Sequence, residues 1–188
     1  DASTLLLHEL GVVEASDPRF IRTLAYEEAT QEERERPELW RYWRDLPARG
    51  EIGMVLSGWY SQPLLDRVMQ REDDAGFRRR MAHAARFERM LADDGALILK
   101  FWMHLDRDQQ QDRLRRLTAD PEGVWRVRPR DWSHLQLYDR FVEQAEQLIE
   151  TTNAPHAPWT VIDGGDPRRR HLIVAETLER ALGERLRN

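Results

Sequence analysis

The residues between Glu51 and Met69 have the pattern of a buried strand that ends in a polar turn and continues into a helix. The apolar centre runs from Met54 to Leu56, and the turn is Ser57-Gly58. In enzymes that transfer phosphoryl groups, a strand of this kind commonly delivers a carboxylate that holds magnesium. Here the strand-end residue is Leu56, which has no oxygen for a metal. The pattern predicts the frame of such a site without its metal ligand.

Arginines are concentrated in the segment 107–132. Its first half is a polar helical pattern whose strong apolar positions are Leu114 and Leu117. A helix with few apolar anchors suits a mobile flap, and guanidinium groups bind phosphate oxygens well. The segment therefore predicts a lid over an anionic ligand, with a solvated hairpin carrying ordinary surface arginines as the alternative. Besides Arg107, which begins the segment, the arginines are Arg113, Arg115, Arg116, Arg126, Arg128 and Arg130, and the last three are interleaved with Trp125, Val127 and Pro129.

Three further positions each have two interpretations. Lys100 lies inside an apolar strand pattern, where a lysine is costly unless it has a partner or reaches solvent. It either faces phosphate or is a surface lysine whose ammonium reaches water. Trp59 and Tyr60, at a strand end, either stack on a ligand or cap a core.

Patterns typical of other active sites are missing from the sequence. The six histidines show no H-E-x-x-H or comparable ligand spacing, and no G-x-S-x-G turn surrounds Ser57 or Ser61. The chain has no cysteine, which excludes disulfides, thiolate metal sites and a cysteine nucleophile. We therefore predict no catalytic residue and no metal site in this chain.

The composition limits the possible partners. The chain has 188 residues, enough for one domain with a full core. It carries 29 basic and 34 acidic side chains, a net charge of −5, which argues against a general nucleic-acid binder. No apolar run approaches the ~18 residues of a membrane span, and no signal-peptide pattern is present. We expect a cytoplasmic protein that binds neither nucleic acid nor a membrane.

Four short apolar runs alternate with longer helical patterns. Near-continuous apolar character is typical of parallel strands that are covered on both faces, and intervening helices imply right-handed crossovers. The pattern predicts a three-layer α/β sandwich with a parallel sheet. The runs are FIRTLAY (20–26), the stretch around Met54–Leu56, ALILKFWMHL (96–105) and WTVIDG (159–164).

Apolar residues at three-to-four spacing predict the buried faces of four helices, the first beginning at Pro37. These faces are Leu39, Tyr42, Trp43 and Leu46; Phe77, Met81, Ala84, Phe87 and Leu91, ending before Gly95; Leu135, Tyr138, Val142, Ala145 and Ile149; and Leu172, Ile173, Leu178, Ala181 and Leu182, after Asp166-Pro167.

The first ten residues, DASTLLLHEL, have the pattern of a helix already under way. A natural start is more often a flexible polar segment. We therefore expect residues 1–188 to form a single domain that is a fragment of a longer chain.

Several segments, taken together, resemble the polyphosphate kinase 2 family. ERPELWRYWRDLPARGEIGMVLSGWY is similar to the family's P.LWR....LP..G.I segment, which leads into FDRSWYNR. Further similar segments follow in the family's order and cover nearly the whole chain: FERMLADDGALILKFWMHLDRDQQ, DPEGVWRVRPRDW and TTNAPHAPWTVIDGGDPRRRHLIV. Within the family, SGWY and LYDRFVEQAE resemble the first, degenerate domain of tandem polyphosphate:AMP phosphotransferases.

The resemblance implies a P-loop kinase-like fold with a helical lid over about residues 107–132. Active family members move phosphoryl groups between inorganic polyphosphate and nucleotides with Mg²⁺, so the implied ligands are polyphosphate and AMP or ADP. It also implies a second homologous domain or a homo-oligomer as partner. Trp59 and Tyr60 match family positions, and the candidate phosphate-binding or polyphosphate-binding residues are Arg67, Lys100, Arg113, Arg126 and Arg128.

The sequence departs from the family where the metal would bind. The family's strand-end Asp falls on Leu56 and the next Arg on Ser57, so Mg²⁺ is implied by the family but is not expected to bind this copy. No Gly-x-x-x-x-Gly-Lys loop occurs, and we expect the N-terminal strand and phosphate loop to precede Asp1. Other departures are Ser61 and Gln62, in place of Asn and Arg, and Gly123 and Val124, in place of a basic pair.

Two functions remain open at this point. The chain is either a catalytically impaired domain of a polyphosphate:AMP phosphotransferase, which makes ADP, or a non-catalytic domain of that fold. The second would bind a polyanion or stabilise an assembly. On the pattern alone, Arg67 is equally well a plain surface residue.

Overall fold

The computed structural model describes residues 18–187. The helix expected over DASTLLLHEL lies outside the described residues. The chain divides into two compact units, one ending at Ala84 and the other beginning at Ala85. The expectation that residues 1–188 form a single domain stays a prediction.

The first unit is built on a pair of parallel strands. Ile21 lies opposite Ile52 at one end of the pair, and Ala25 lies opposite Leu56 at the other. Parallel strands need a crossover connection, and two short helices provide it here. After a 3₁₀ turn at Pro18–Phe20, the elements are β1 (Ile21–Ala25), α1 (Gln31–Arg34), α2 (Trp40–Asp45), β2 (Ile52–Leu56) and α3 (Ser61–Val68).

The second unit has the same plan with longer helices. Lys100 lies opposite Trp159, and His104 lies opposite Asp163, in a second parallel pair. Helix α4 (Asp74–Asp93) contains the division between the units. The following elements are β3 (Lys100–His104), α5 (Arg107–Ala119), a 3₁₀ turn (Val124–Arg126), α6 (Pro129–Gln136), α7 (Tyr138–Thr152), β4 (Trp159–Asp163) and α8 (Pro167–Arg187).

Local sequence explains several helix ends. Asp106 begins α5 with a capping box, because its carboxylate accepts from Gln109 N–H at 2.7 Å while Gln109 accepts from Asp106 N–H. Thr30 and Glu33 cap α1 in the same way. After α4, Gly95 has a φ of 97°, which a glycine adopts without steric cost. The predicted end of that helix is confirmed.

The core of α4 follows the prediction closely. Phe77, Met81, Ala84 and Phe87 are all 2% exposed or less. On α7, Ala145 is buried as predicted, and Leu148, which the pattern did not select, is completely buried. Strong amphipathic spacing therefore located the buried face of the longest apolar stripe, whereas on α7 it selected Ile149 in place of its buried neighbour Leu148.

Three predictions about the helices are wrong. The helix expected from Pro37 begins at Trp40. Pro37 O accepts a hydrogen bond from the N–H of Trp40, three residues on, which is the bond of a β-turn and not of an α-helix. Trp43 is 44% exposed, and on α8 Leu172 and Leu182 are 57% and 41% exposed. The buried face of α8 instead contains Arg170, Val174 and Thr177, at four-and-three spacing. Two of these three residues are polar, so an apolar pattern could not identify the face.

None of the helices in residues 18–187 has an apolar stretch long enough to cross a bilayer.

Candidate functional site

The carboxyl end of β2 is the position where the family pattern would place a metal ligand. β2 ends at Leu56, and Ser57 follows with a φ of 51°, in the left-handed region. Within residues 18–187, no group of three or more Asp, Glu or His side chains is arranged to hold a metal ion. The side chains at this strand end do not fit Mg²⁺, because Leu56 offers no oxygen where the family has a carboxylate.

Trp59 and Tyr60 belong to an aromatic cluster beside this strand end. The ring of Tyr42 meets Trp59 edge to face at 5.7 Å and Tyr26 at 4.7 Å. Trp59 and Tyr60 are tilted neighbours at 6.1 Å, and both are half-buried. Edge-to-face packing of this kind stabilises aromatic clusters. The geometry favours the interpretation in which the pair caps a core.

Arg67 lies on α3 and is partly enclosed. Its Nη2 is 4.0 Å from Asp74 Oδ1, and its side chain is 26% exposed. Its Nε is buried without a hydrogen-bond partner among the residues that the structure describes. Arg67 is thus neither a plain surface residue nor a completed ion pair, and its role toward phosphate stays a prediction.

Lys100 has a protein partner that neither interpretation anticipated. Its Nζ donates to Glu88 Oε2 at 2.7 Å and to Thr152 O at 2.8 Å, and it lies 4.9 Å from the ring centre of Trp159. Lys100 is only 7% exposed, so the surface-lysine interpretation is wrong. Burial lowers the pKa of Lys100, and the hydrogen bond and charge of Glu88 only partly oppose that shift. An ammonium held by Glu88 is not available as a phosphate ligand.

A cleft of about 580 Å³ opens at the carboxyl ends of β3 and β4. Leu105, directly after β3, and Gly164 and Gly165, directly after β4, form part of its lining. Ligands of parallel α/β sheets bind outside the carboxyl ends of the strands. The most distinctive feature of this cleft is a set of four arginines, three on α5 and one on α8: Arg113, Arg115, Arg116 and Arg170.

Two glycines fix the base of this cleft. A Cβ on Gly164 would lie 2.9 Å from the carbonyl oxygen of His104, and one on Gly165 would lie 2.6 Å from Gln109 Nε2. Gly164 N–H in turn donates to His104 O. The turn after β4 therefore packs directly against the end of β3 and the first turn of α5, which places the arginines of α5 beside Arg170.

The structure separates the predicted lid residues. Arg113 lines the cleft, whereas Arg126 and Arg128 are exposed and are not among its lining residues. Arg126 lies 5.2 Å from the ring centre of Trp125, which is 72% exposed, and the backbone N–H of Arg128 donates to Asp131. These two arginines lie in and just after the 3₁₀ turn Val124–Arg126, which is followed by α6.

Arg170 is the cleft arginine that the sequence did not indicate. It belongs to the run Arg168-Arg169-Arg170 at the start of α8. A triple-arginine run following a strand and a Gly-Gly turn was the available signal, but charge alone could not show which of the three points inward. Arg168 and Arg169 are exposed, and Arg170 is buried.

Comparison with known proteins gives consistent matches. The family described as Polyphosphate kinase 2 (PPK2) matches residues 10–187. The polyphosphate:AMP phosphotransferase of Pseudomonas aeruginosa is 43% identical over 162 residues, which are 86% of this chain and 33% of that protein. The AMP/ADP-polyphosphate phosphotransferase of Meiothermus ruber is 33% identical over 171 residues, 91% of this chain and 64% of that protein. The chain thus spans about a third of the length of the Pseudomonas relative.

The likeness extends to three dimensions. The crystal structure of polyphosphate kinase 2 from Arthrobacter aurescens TC1 matches with a TM-score of 0.92 at 28% identity, covering 98% of this chain and 65% of that one. This match confirms the predicted α/β, P-loop kinase-like fold class. With the family pattern matched over residues 10–187, the chain belongs to the polyphosphate kinase 2 family.

Proposed function

We propose that the chain is a domain of a polyphosphate:AMP phosphotransferase, which transfers a phosphoryl group from inorganic polyphosphate to AMP and releases ADP. The similarity to the Pseudomonas relative of that name, 43% over most of this chain, supports the assignment. Because the chain spans a third of that relative, the activity is proposed for the longer protein. Its partner is then a second homologous domain or another copy of the chain.

This copy is catalytically impaired. The observation that carries this part of the proposal is the end of β2, where Leu56 is followed by Ser57 and no carboxylate is present. Phosphoryl transfer relies on positioned phosphates and on metal ions that neutralise developing charge. A chain that cannot hold the metal at this strand end lacks the main source of that stabilisation. Mg²⁺ is accordingly assigned to the catalytic copy and not to this one.

An assay of the 188-residue chain with AMP, polyphosphate and Mg²⁺ tests this proposal. Chromatography would follow ADP formation, with a heat-treated sample as the control. We expect no turnover above that control. Leu56→Asp should not restore activity, because the sequence also contains no Gly-x-x-x-x-Gly-Lys loop. Clear turnover by the unmodified chain would show that this copy is catalytic.

A non-catalytic role in binding polyanions is the second candidate. The arginine-lined cleft, together with the exposed Arg126 and Arg128, favours it. Local rather than net charge sets the field at such a surface, so binding is expected despite the net charge of −5. Each well-formed contact contributes on the order of 1 kcal/mol, which favours micromolar to millimolar affinity after the cost of association.

Replacing the predicted lid arginines tests this role. We expect the triple variant Arg113→Ala, Arg126→Ala and Arg128→Ala to lose polyphosphate binding, measured by titration at two salt concentrations. The matched control makes the same charge change at exposed arginines of α4, namely Arg79→Ala, Arg86→Ala and Arg89→Ala. Equal loss in both variants, or in neither, would mean that the lid arginines are ordinary surface charges.

A further inference from the structure

Arg170 is a buried guanidinium with an unused edge. The residue is 5% exposed, and its Nη1 donates to the carbonyl oxygen of Gly164 at 2.9 Å. Its Nε is buried, and within residues 18–187 neither Nε nor Nη2 has a hydrogen-bond partner and no carboxylate pairs with it. Nε and Nη2 form the edge that binds an oxyanion through two parallel hydrogen bonds. A buried charge without such a partner is costly, so this edge indicates an anionic ligand.

The surroundings of Arg170 are positively charged. Arg113, Arg115 and Arg116 line the same cleft. Asp112 also lines it, and its Oδ1 lies 3.5 Å from Arg115 Nη1. Four arginines against this one aspartate give the lining of the cleft a net positive charge, which favours an anionic ligand.

The backbone at the start of α8 does not serve as the anion site. Asp166 Oδ1 accepts from the N–H groups of Arg168 and Arg169 at 2.9 and 3.3 Å. Gly165 N–H donates to Asp163 Oδ1 at 2.8 Å. The protein's own carboxylates thus occupy these donors. Recognition of a ligand falls to the guanidinium groups, which favour the planar pairs of oxygens that phosphate and carboxylate present.

We propose that Arg170 anchors the terminal phosphate group of a phosphoanhydride chain, whose remaining phosphates lie beside the exposed Arg115 and Arg116. A terminal group carries nearly two negative charges and three outward oxygens, whereas an internal phosphate continues on both sides and carries one. An anchor that is 5% exposed suits an end group better than the middle of a chain. The choice of ligand rests on the proposed function, and its source is either inorganic polyphosphate or a nucleoside diphosphate.

Calorimetric titration of the 188-residue chain tests the anchor. The probes are linear tripolyphosphate, cyclic trimetaphosphate, which has no terminal group, and ADP. Arg170→Lys keeps the charge and removes the paired donors, and Arg180→Lys on the exposed face of the same helix is the matched control. We expect Arg170→Lys to weaken tripolyphosphate binding at least about tenfold, and Arg180→Lys to change it less than about twofold.

The two other probes locate the end group and its source. Trimetaphosphate should bind more weakly than tripolyphosphate and be indifferent to Arg170→Lys. If ADP binding is weakened by Arg170→Lys to the same extent, a nucleoside diphosphate can supply the terminal phosphate that Arg170 binds. If only tripolyphosphate binding is weakened, the source is polyphosphate. Equal dependence of linear and cyclic probes on Arg170 would overturn the terminal-phosphate assignment.

A second variant separates ligand binding from a structural role. Arg170→Met removes the unpaired charge and retains an unbranched side chain, so the melting temperature without ligand should stay equal or rise. Tripolyphosphate should raise the melting temperature of the wild type and not that of the variant. A fall in the unliganded melting temperature would show that the bond to Gly164 is the main role of Arg170 and would overturn the proposal.

These results are separable from the proposed function. A parent protein that phosphorylates AMP while tripolyphosphate binding is absent or independent of Arg170 would overturn only the anchor. Arg170-dependent binding in a parent protein that does not phosphorylate AMP would overturn only the proposed phosphotransferase activity.

Discussion

Lys100 and Arg170 lie at opposite ends of the β3–β4 pair and have nearly the same burial, 7% and 5% exposed. Lys100 begins β3, at the amino end of the pair, and is held by Glu88, Thr152 O and the ring of Trp159. Arg170 is near the start of α8, after the carboxyl end of β4, and among residues 18–187 its guanidinium has one hydrogen-bond partner, Gly164 O. One end of the strand pair is electrostatically complete, and the other is not.

The difference shows that burial alone does not define the role of a charged residue. A buried cation that is bound by a carboxylate and a carbonyl is part of the scaffold, because removing the cation or the carboxylate leaves the other charge buried and uncompensated. A buried cation that lines a basic cleft and has an unpartnered Nε, as Arg170 does within residues 18–187, indicates a ligand. The family resemblance selected Lys100 as a phosphate ligand and did not select Arg170. The geometry supports the opposite assignment.

The largest expected effect is the loss of Lys100. Lys100→Ala removes the ammonium that pairs with Glu88, which is 1% exposed, and should lower the free energy of unfolding by about 3–5 kcal/mol. Arg89→Ala is the control, because Arg89 and Asp93 form a pair with side chains 62% and 59% exposed, and such pairs contribute about 0–1 kcal/mol. Urea denaturation measures both. Similar small losses of unfolding free energy in the two variants would show that the pair of Lys100 and Glu88 does not stabilise the fold.

The turn beneath the cleft should give the next largest effect. Gly164→Ala places a Cβ 2.9 Å from the backbone oxygen of His104, and forcing the turn outward should cost about 1–3 kcal/mol. Because Gly164 O accepts from Arg170, tripolyphosphate binding should weaken as well. Gly183→Ala on α8 meets nothing within 4 Å and should stabilise the helix by about 0.5–1 kcal/mol. A neutral Gly164→Ala would mean that the turn is free to move.

Hydrogen exchange compares the mobility of the two ends. The segment 107–132 has few buried apolar side chains, with Leu114 at 8% exposed, and should open more readily than residues 96–105. We expect protection at least about tenfold lower in the lid, a difference of roughly 1.4 kcal/mol in opening free energy. Amides of α7 serve as a protected reference. Equal protection in the lid and around β3 would contradict the flap interpretation.

The smallest effect on stability is expected at a polar contact that is less buried than Lys100 or Arg170. Tyr26 O–H donates to Asp45 Oδ2 at 3.3 Å, and burial, followed by the charge and hydrogen bond of Asp45, raises the pKa of Tyr26 to about 12. A raised pKa means that this contribution is fully present below the unfolded value of about 10 and is lost as the pH rises through about 12.

Tyr26→Phe should therefore flatten the alkaline loss of stability. Thermal unfolding between about pH 9 and about pH 12 should show a steeper fall in the wild type than in the variant. Tyr138 also has a raised pKa, but it titrates in both proteins and cancels in the difference. Parallel curves of melting temperature against pH for the two proteins would show that Tyr26 makes no pH-dependent contribution to stability.

Much of the fold could be predicted because it depends on local spacing. All four strands, the end of α4 at Gly95 and the buried stripe from Phe77 to Phe87 follow from apolar runs, glycine and helical period. The family resemblance followed from several ordered motifs and is confirmed. The faces of α2 and α8 were mispredicted, since Trp43 and Leu172 are exposed while polar residues of α8 are buried.

Residue types and their order were enough to identify the family, the parallel α/β plan and an apolar Leu56 at the strand end where the family resemblance implies a carboxylate. These features depend on residue type and order along the chain. Packing in three dimensions determined which cations are paired, because ion pairs join residues on separate elements, as Lys100 on β3 and Glu88 on α4 are. It also decided that Arg170, rather than its neighbours Arg168 and Arg169, is buried beside the cleft. The role of a buried guanidinium therefore depends on which partners the fold places within hydrogen-bonding distance of it.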